Sequence, residues 1–188
     1  MHAQVSGASL NIERMSYRLW ANQMNAEDFQ RIFKYNRWVL HSFLETLEKL
    51  PPETVSENLE ASHNSMRGIF THILVVYDGW LNHAREGETS GVPESEFDQA
   101  FQSLDTMKRY MEHVETGVDA LLRELNASML ALPIKVDWFE KEQSLADVLM
   151  QITIEQAHHL GEIIALLWQH NIQPPEMTWI GMQETHRV

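Results

Sequence analysis

The sequence predicts an all-α protein, an up-and-down four-helix bundle with an N-terminal helical extension. Four long stretches carry apolar residues at the three- and four-residue spacing of an amphipathic helix. Prolines and glycine-containing segments separate these stretches, as expected for connections between helices. Each apolar face must be buried against another, and 188 residues are enough for one shared core. We therefore expect one domain over residues 26–172, an extension over 1–25 with a short helix near 12–24, and a tail over 173–188.

The first two predicted helices lie before a connection that contains glycines. The first is predicted over residues 27–50 and ends at Pro51-Pro52, because proline cannot continue a helix. Ser65 is the predicted cap of the second helix, which runs to the region of Gly87. The positions predicted to face the core are Phe29, Ile32, Phe33, Leu40, Phe43, Leu44, Leu47 and Leu50 in the first helix and Ile69, Ile73, Val76 and Trp80 in the second.

The third helix is predicted to start at Phe97 or Ser103 and to end at Leu125. Residues 126–143 then lose the helical period, and the alternation within 134–138 allows a short strand or an extended loop. The predicted core positions of the third helix are Leu104, Met107, Met111, Val114, Val118, Leu121, Leu122 and Leu125.

The fourth helix begins at a predicted capping box formed by Ser144 and Asp147. It is expected to end near His170, before Pro174-Pro175. Its predicted core positions are Leu145, Val148, Leu149, Ile152, Ile163, Leu166 and Leu167. This row of apolar residues has a gap in the middle of the helix, where polar side chains take its place.

Composition narrows the class of protein. The chain has 27 acidic and 14 basic residues, and a formal charge of -13 repels nucleic-acid phosphates. No cysteine is present, which excludes disulfides and thiolate ligands. Apolar runs are too short for a membrane span, and the first residues do not follow the pattern of a signal peptide. We expect a soluble cytoplasmic protein, and the ten histidines favour metal binding.

Glu155 and His159 fill the gap in the apolar face of the fourth helix. They are four residues apart and therefore lie one turn apart on one side of the helix. A carboxylate on a buried face must be paired, protonated or bound to a metal, and the chain is short of basic partners. His72 in the second helix is the third candidate ligand, although one inward histidine is more often structural. The alternative for all three is a buried polar network without metal. His158 points about 100° away and is expected to support a ligand or to lie at the surface, without binding the metal.

Three segments resemble the DinB/YfiT-like family of small metalloproteins. They are Tyr-Asn-Arg-Trp at 35–38, Asn-Ser-Met-Arg-Gly-Ile-Phe-Thr-His-Ile at 64–73, and His-His-Leu-Gly-Glu at 158–162. The segments occur in the order and at the spacing of the family, and the resemblance covers about residues 26–170. It implies a four-helix bundle, commonly a homodimer, with a metal held between the second and fourth helices.

The resemblance also implies a ligand set and a chemistry. The metal would be divalent, zinc or nickel first and iron or manganese otherwise, bound by His72, Glu155 and His159. The family usually has histidine where this chain has Glu155, and Leu-Gly-Glu at 160–162 replaces the usual Arg-Gly-Gln. Characterised relatives include enzymes that use a low-molecular-weight thiol. The expected function is therefore a metal-dependent thiol transferase or hydrolase that acts on a small molecule.

Two further interpretations belong to other functional classes. Two histidines and one carboxylate with open positions also describe the site of ferrous oxygenases. A non-catalytic alternative is a metal-binding stress-response bundle that acts through protein partners.

Overall fold

The computed structural model describes residues 24–84, 101–136 and 139–185. Its four long helices are α1 (Ala26–Glu48), α3 (Met66–Ala84), α4 (Leu104–Glu124) and α6 (Leu145–Gln169). The shorter elements are α2 (Pro52–Ser56), α5 (Ala127–Leu130), β1 (Pro133–Ile134), β2 (Gln143–Ser144) and α7 (Trp179–Thr185). The predicted all-α class and four-helix bundle are confirmed. The predicted N-terminal helix and the alternative start at Phe97 lie outside the described residues, apart from Met24.

Side-chain caps fix where the helices begin. The predicted capping box is present: the Asp147 backbone N–H donates to Ser144 Oγ at 3.1 Å, and the Ser144 N–H donates to Asp147 Oδ2 at 3.2 Å. At α3, the Gly68 N–H donates to Ser65 Oγ at 3.0 Å. Both predicted helix starts are therefore confirmed by hydrogen bonds that depend on residues close in sequence.

The core lies between the four long helices. Most of the predicted core positions are buried, including every one named for the fourth helix. Six positions predicted to face inward are half-buried at the flanks of their helices, namely Ile32, Leu50, Val76, Trp80, Leu104 and Leu122. Helix α3 makes its most extensive contacts with α6, so residues at the flanks of these two helices are well placed to form a shared site.

The direction of α4 departs from strict up-and-down alternation. Thr71 Oγ1 lies 3.5 Å from Met107 Sδ, and ten residues later in both helices a Cβ at Gly117 would lie 3.8 Å from Leu81 Cδ1. Contacts that advance together along both helices mean that α3 and α4 run parallel. These two consecutive long helices therefore do not alternate in direction.

The segment predicted to be irregular contains both a short helix and a short sheet. Pro133 pairs with Ser144 and Ile134 with Gln143 in an antiparallel register. Of the segment 134–138, for which a short strand or an extended loop was predicted, Ile134 lies in the strand, 135 and 136 do not, and 137 and 138 lie outside the described residues. The helical turn α5 before the strand and the helix α7 in the predicted tail are additions to the predicted elements. Within the described part of the chain, no helix combines the length and apolar character that crossing a bilayer requires.

A buried polar network joins three of the long helices. The Tyr77 hydroxyl donates to Gln156 Oε1 at 2.5 Å, and Gln156 Nε2 donates to the Asn36 backbone carbonyl at 3.1 Å. Asn36 Nδ2 in turn donates to Thr153 Oγ1 at 3.2 Å. Burial raises the pKa of Tyr77 well above its ordinary value, so its hydroxyl stays protonated and remains a donor. The network fixes α6 against α1 and α3 one turn away from His159.

Candidate metal centre

Three imidazole rings meet where α3, α6 and the loop before α3 come together. His63, His72 and His159 each offer a ring nitrogen, and these nitrogens lie within 4.8 Å of one another. The His63 ring stacks on the His72 ring with centroids 3.7 Å apart, and the His159 ring meets the His72 ring edge-on at 4.7 Å. The structure therefore brings the predicted residues His72 and His159 together and adds a third histidine.

His159 is the most buried of the three, with a side chain only 7% exposed. Its Nδ1 lies 2.9 Å from Glu162 Oε2. Because an ionised carboxylate can only accept, Nδ1 donates, and in the neutral ring the lone pair is then on Nε2. This Nε2 lies 3.4 Å from Glu155 Oε2. A lone pair that faces a carboxylate is repelled by it unless a proton or a metal cation lies between them.

Glu162 holds the His159 ring in this orientation. Its Oε2 also accepts a hydrogen bond of 2.6 Å from the Ser62 hydroxyl. Burial acts to raise the pKa of the Glu162 carboxyl, but the hydrogen bonds from Ser62 and His159 outweigh burial, and the pKa lies below its ordinary value. A carboxylate that orients a ligand histidine through its second nitrogen is a common support for metal sites in proteins.

His72 reaches the cluster from the flank of α3, next to the buried residue Ile73. Burial, together with the neighbouring His63 and His159, lowers the pKa of His72 from 6.5 to about 4, while Glu162 opposes the change. At neutral pH the ring is therefore uncharged. Only the uncharged ring has a lone pair for a metal, so His72 is in the form that a ligand requires.

Glu155 lies at the edge of the buried face of α6, and its side chain is 31% exposed. The centre of that face is taken by Gln156, which is 2% exposed. Besides its contact with His159, Glu155 accepts a hydrogen bond of 2.7 Å from Gln151 Nε2 through Oε1. Among the described residues, the group that includes His72 and His159 within 4.8 Å contains His63 and not Glu155. Glu155 thus joins the cluster through His159.

Sequence reasoning missed His63, which precedes α3 and belongs to no helical face. The sequence feature that could have indicated His63 is its position nine residues before His72, with the predicted cap Ser65 between them. His158, predicted to support a ligand or to lie at the surface, is exposed. Its ring nevertheless contacts the His159 ring edge-on at 4.8 Å, and with His159 and Glu162 it forms a second group of possible ligands.

The donor atoms suit a divalent ion of the zinc group. Ligand atoms about 2.1 Å from a tetrahedral ion lie about 3.4 Å apart. His159 Nε2 and Glu155 Oε2 are 3.4 Å apart. Neutral imidazoles together with a carboxylate are ligands that zinc, nickel and iron accept. The residues present therefore fit a metal ion on distance and on chemistry.

A four-helix bundle with imidazoles and carboxylates gathered between facing helices defines a class of small helical proteins with a candidate metal centre. The model of the DinB superfamily matches residues 35–163, which is more than half of the chain, and the chain therefore belongs to this superfamily. The matched region includes His63, His72, Glu155 and His159. Family membership confirms the resemblance drawn from the three sequence segments.

A solved structure supports the fold. The chain is similar to a DinB-like protein from Bacillus cereus, with a TM-score of 0.59 and 24% sequence identity. The similarity covers 81% of this chain and 97% of the other. Four chains of solved structures match in total, whereas no curated protein matches. At this identity the likeness concerns the fold and leaves the reaction to be inferred from the site.

The metal-free protein is expected to lose roughly 2 kcal/mol of its free energy of unfolding through His72 as the pH falls from 6.5 to about 4. In this range the unfolded chain binds a proton at His72 and the folded chain resists it, so acid favours unfolding. Solvent screens part of the effect because the ring is only half-buried. Urea titrations with chelator across this range should give a shallower pH dependence for His72→Gln than for the wild type. Equal slopes would contradict the prediction.

Proposed function

We propose that the chain is a divalent-metal-dependent enzyme whose metal is held by His72, Glu155 and His159. The observation that carries the proposal is that His159 Nε2 and Glu155 Oε2 face each other at 3.4 Å, while the other ring nitrogen of His159 is hydrogen-bonded to Glu162. In the neutral ring this Nε2 is an acceptor, and a cation held between the two atoms would be stabilised by both. His72 supports the proposal because its neutral ring lies next to that of His159.

Zinc or nickel suits this set of ligands best, with iron or manganese as alternatives. When bound, such an ion lowers the pKa of a water or thiol so that the anion is available near neutral pH. The residues of the chain hold and orient it: Glu162 fixes the His159 ring, and Gln151 fixes the Glu155 carboxylate. The reaction class that follows is transfer to a low-molecular-weight thiol, or hydrolysis, of a small electrophilic substrate.

A cavity beside Glu155 is the proposed binding site for the apolar part of the substrate. Its volume is about 130 Å³. Trp80 and Phe139 form one wall, with rings stacked at 6.2 Å, and Gln151 connects the cavity to the Glu155 carboxylate. The remaining lining residues are Gln143, Asp147 and Val148. An aromatic wall in a cavity that also contains Gln151, one helical turn from the candidate ligand Glu155, suits a small substrate with a flat or apolar group.

Metal analysis of the full chain, purified without an affinity tag, tests this proposal. We expect about one divalent ion per chain after equilibration with zinc or nickel and removal of the excess. Thiol added to the cobalt-loaded protein should then change the visible absorption, because an open position accepts it. A chain that retains no divalent ion after equilibration would overturn the proposal.

We also propose that the protein is a homodimer through the exposed side of α6. Ile154 and Trp168 are 56% and 52% exposed, and Ala157, Gly161 and Ala165 lie between them on the same side of the helix. A Cβ at Gly161 would meet nothing within 4 Å, so this side is open to close approach by another helix. Large apolar residues at both ends of a stretch of small ones form a surface that a second copy would bury.

The double variant Ile154→Glu/Trp168→Glu is expected to be monomeric, because charges on both apolar ends make their burial costly. Sedimentation at micromolar concentration should show the wild type at twice the mass of the variant. The matched control is Leu132→Glu, which adds a charge at another exposed apolar residue, 48% exposed, and should leave the mass unchanged. A wild type that sediments as a monomer would contradict the proposed dimer.

A further inference from the structure

The loop over residues 59–65, here called the His63 loop, has a backbone held by hydrogen bonds. The Leu59 N–H donates to the Asn64 carbonyl at 2.7 Å, and the Asn64 N–H donates to the Ala61 carbonyl at 3.0 Å. Asn64 has a φ of 65°, a left-handed conformation that asparagine tolerates better than most residues. These bonds close the loop on itself and determine where the His63 side chain points.

The first turn of α3 has a glycine that lets the His63 loop lie directly on the helix. A Cβ at Gly68 would lie 2.1 Å from the His63 carbonyl oxygen, a distance that no side chain can occupy. The same carbonyl accepts a hydrogen bond of 2.8 Å from the Ser65 N–H. The backbone of His63 is thus held from two sides, and its ring is brought over that of His72 at 3.7 Å.

The His63 loop also contacts helix α6 at the cluster. Ser62 donates to Glu162, and Glu162 accepts from His159 Nδ1. One short loop therefore supplies an imidazole to the cluster and supports the carboxylate that orients another imidazole. Such an arrangement is what a loop that forms one wall of a metal site would show.

We propose that His63 is a further ligand of the metal and joins His72, Glu155 and His159. The proposal rests on the metal site proposed above and extends it from three protein ligands to four. Its nitrogen lies within 4.8 Å of those of His72 and His159. Rotation of the His63 side chain that unstacks its ring from that of His72 would bring these nitrogens to the separation of about 3.4 Å that a tetrahedral ion requires. The expected cofactor is a divalent ion that prefers nitrogen ligands, as zinc does.

The four proposed ligands belong to different kinds of secondary structure. His72, Glu155 and His159 belong to long helices, whereas His63 belongs to a loop. Because the backbone of the His63 loop is held by hydrogen bonds and by its packing on Gly68, His63 would leave the metal by rotation of its side chain, and this would make room for a substrate or thiol.

Zinc titration of the chelator-treated full chain tests the proposal. His63→Ala should weaken zinc binding at least about tenfold, as the loss of a contributing group at a metal site does. With cobalt as the probe, the same variant should show weaker visible absorption because one ligand is replaced by water. The matched control is His113→Ala, which removes an exposed imidazole from α4, a helix that supplies no candidate ligand, and should leave both measurements unchanged. A loss with His158→Ala and none with His63→Ala would overturn the proposal in favour of the second group of possible ligands.

Gly68→Ala provides a second variant that does not touch a ligand. Its methyl group must displace the His63 carbonyl, so zinc affinity should fall about as far as in His63→Ala. In the double variant Gly68→Ala/His63→Ala the zinc affinity should fall no further, because both changes act through one ring. Additive losses would mean that Gly68→Ala acts by another route and would count against the proposal. Circular dichroism of the metal-free variants checks that the helices are intact.

The two proposals fail in different ways. If the wild type binds no zinc, the proposed function is wrong and His63 has no metal to bind. If the wild type binds zinc, His72→Ala weakens binding and His63→Ala does not, only the inference about His63 is wrong.

Discussion

Glu155→Ala is expected to weaken zinc binding about a hundredfold. Structural zinc sites contribute on the order of 10–16 kcal/mol at neutral pH, so one of four ligands accounts for roughly 3 kcal/mol. Glu155 also supplies the negative charge that faces His159 Nε2 at 3.4 Å. Glu155→Gln keeps the shape of the side chain and removes its charge, so its affinity should lie between those of Glu155→Ala and the wild type. Glu155→His should retain metal because it restores an imidazole on the same side of the helix.

Zinc affinity measured by competition with a chelator distinguishes these variants. The opposing view is a polar network without metal, in which Glu155 is held by Gln151 and His159 alone. On that view, zinc affinity is the same for the wild type and Glu155→Ala, and only the free energy of unfolding changes. That outcome would remove Glu155 from the site and leave His72 and His159 as the helix-borne ligands.

The helices could be predicted from the sequence because the features that indicate a helix lie close together along the chain. A capping box is made by two residues three positions apart, Ser144 and Asp147, and apolar spacing repeats within each helix. The contacts that orient α4 are not of this kind. Thr71 and Met107 are 36 residues apart, and nothing close to either one specifies that they meet. The parallel course of α3 and α4 therefore became apparent only in the structure.

The candidate site was predictable to the extent that it lies on helical faces. His159 follows the buried face of α6, as predicted. Glu155 and Gln156 are adjacent and differ by about 100° around the helix, and a row of aliphatic residues on either side of the gap is compatible with both. Packing against Asn36 and Tyr77 places Gln156 at the centre and leaves Glu155 at the edge. His63 could not be predicted in this way because a loop has no repeating pattern of apolar residues.

Gln156→Leu is expected to lower the free energy of unfolding by about 3 kcal/mol, the largest effect that we predict on stability. Leucine has a similar volume, so the cost comes from lost hydrogen bonds rather than from a cavity. The Tyr77 hydroxyl would lose the acceptor at 2.5 Å, and the Asn36 carbonyl would lose the donor at 3.1 Å, in a region closed to water. Because Gln156 lies between helices α1, α3 and α6, this one change weakens their packing together.

Adding Tyr77→Phe to Gln156→Leu should recover part of this loss, because the hydroxyl that lacked its acceptor is then removed. Urea unfolding of the chelator-treated variants measures both effects without a contribution from bound metal. Gln169→Leu is the matched control: it makes the same substitution at an exposed position of the same helix and should change stability by no more than about 0.5 kcal/mol. If Gln156→Leu were as mild as this control, the buried network would not be what fixes α6 against α1 and α3. If the double variant lost the full sum of the two single changes, Tyr77 and Gln156 would act independently.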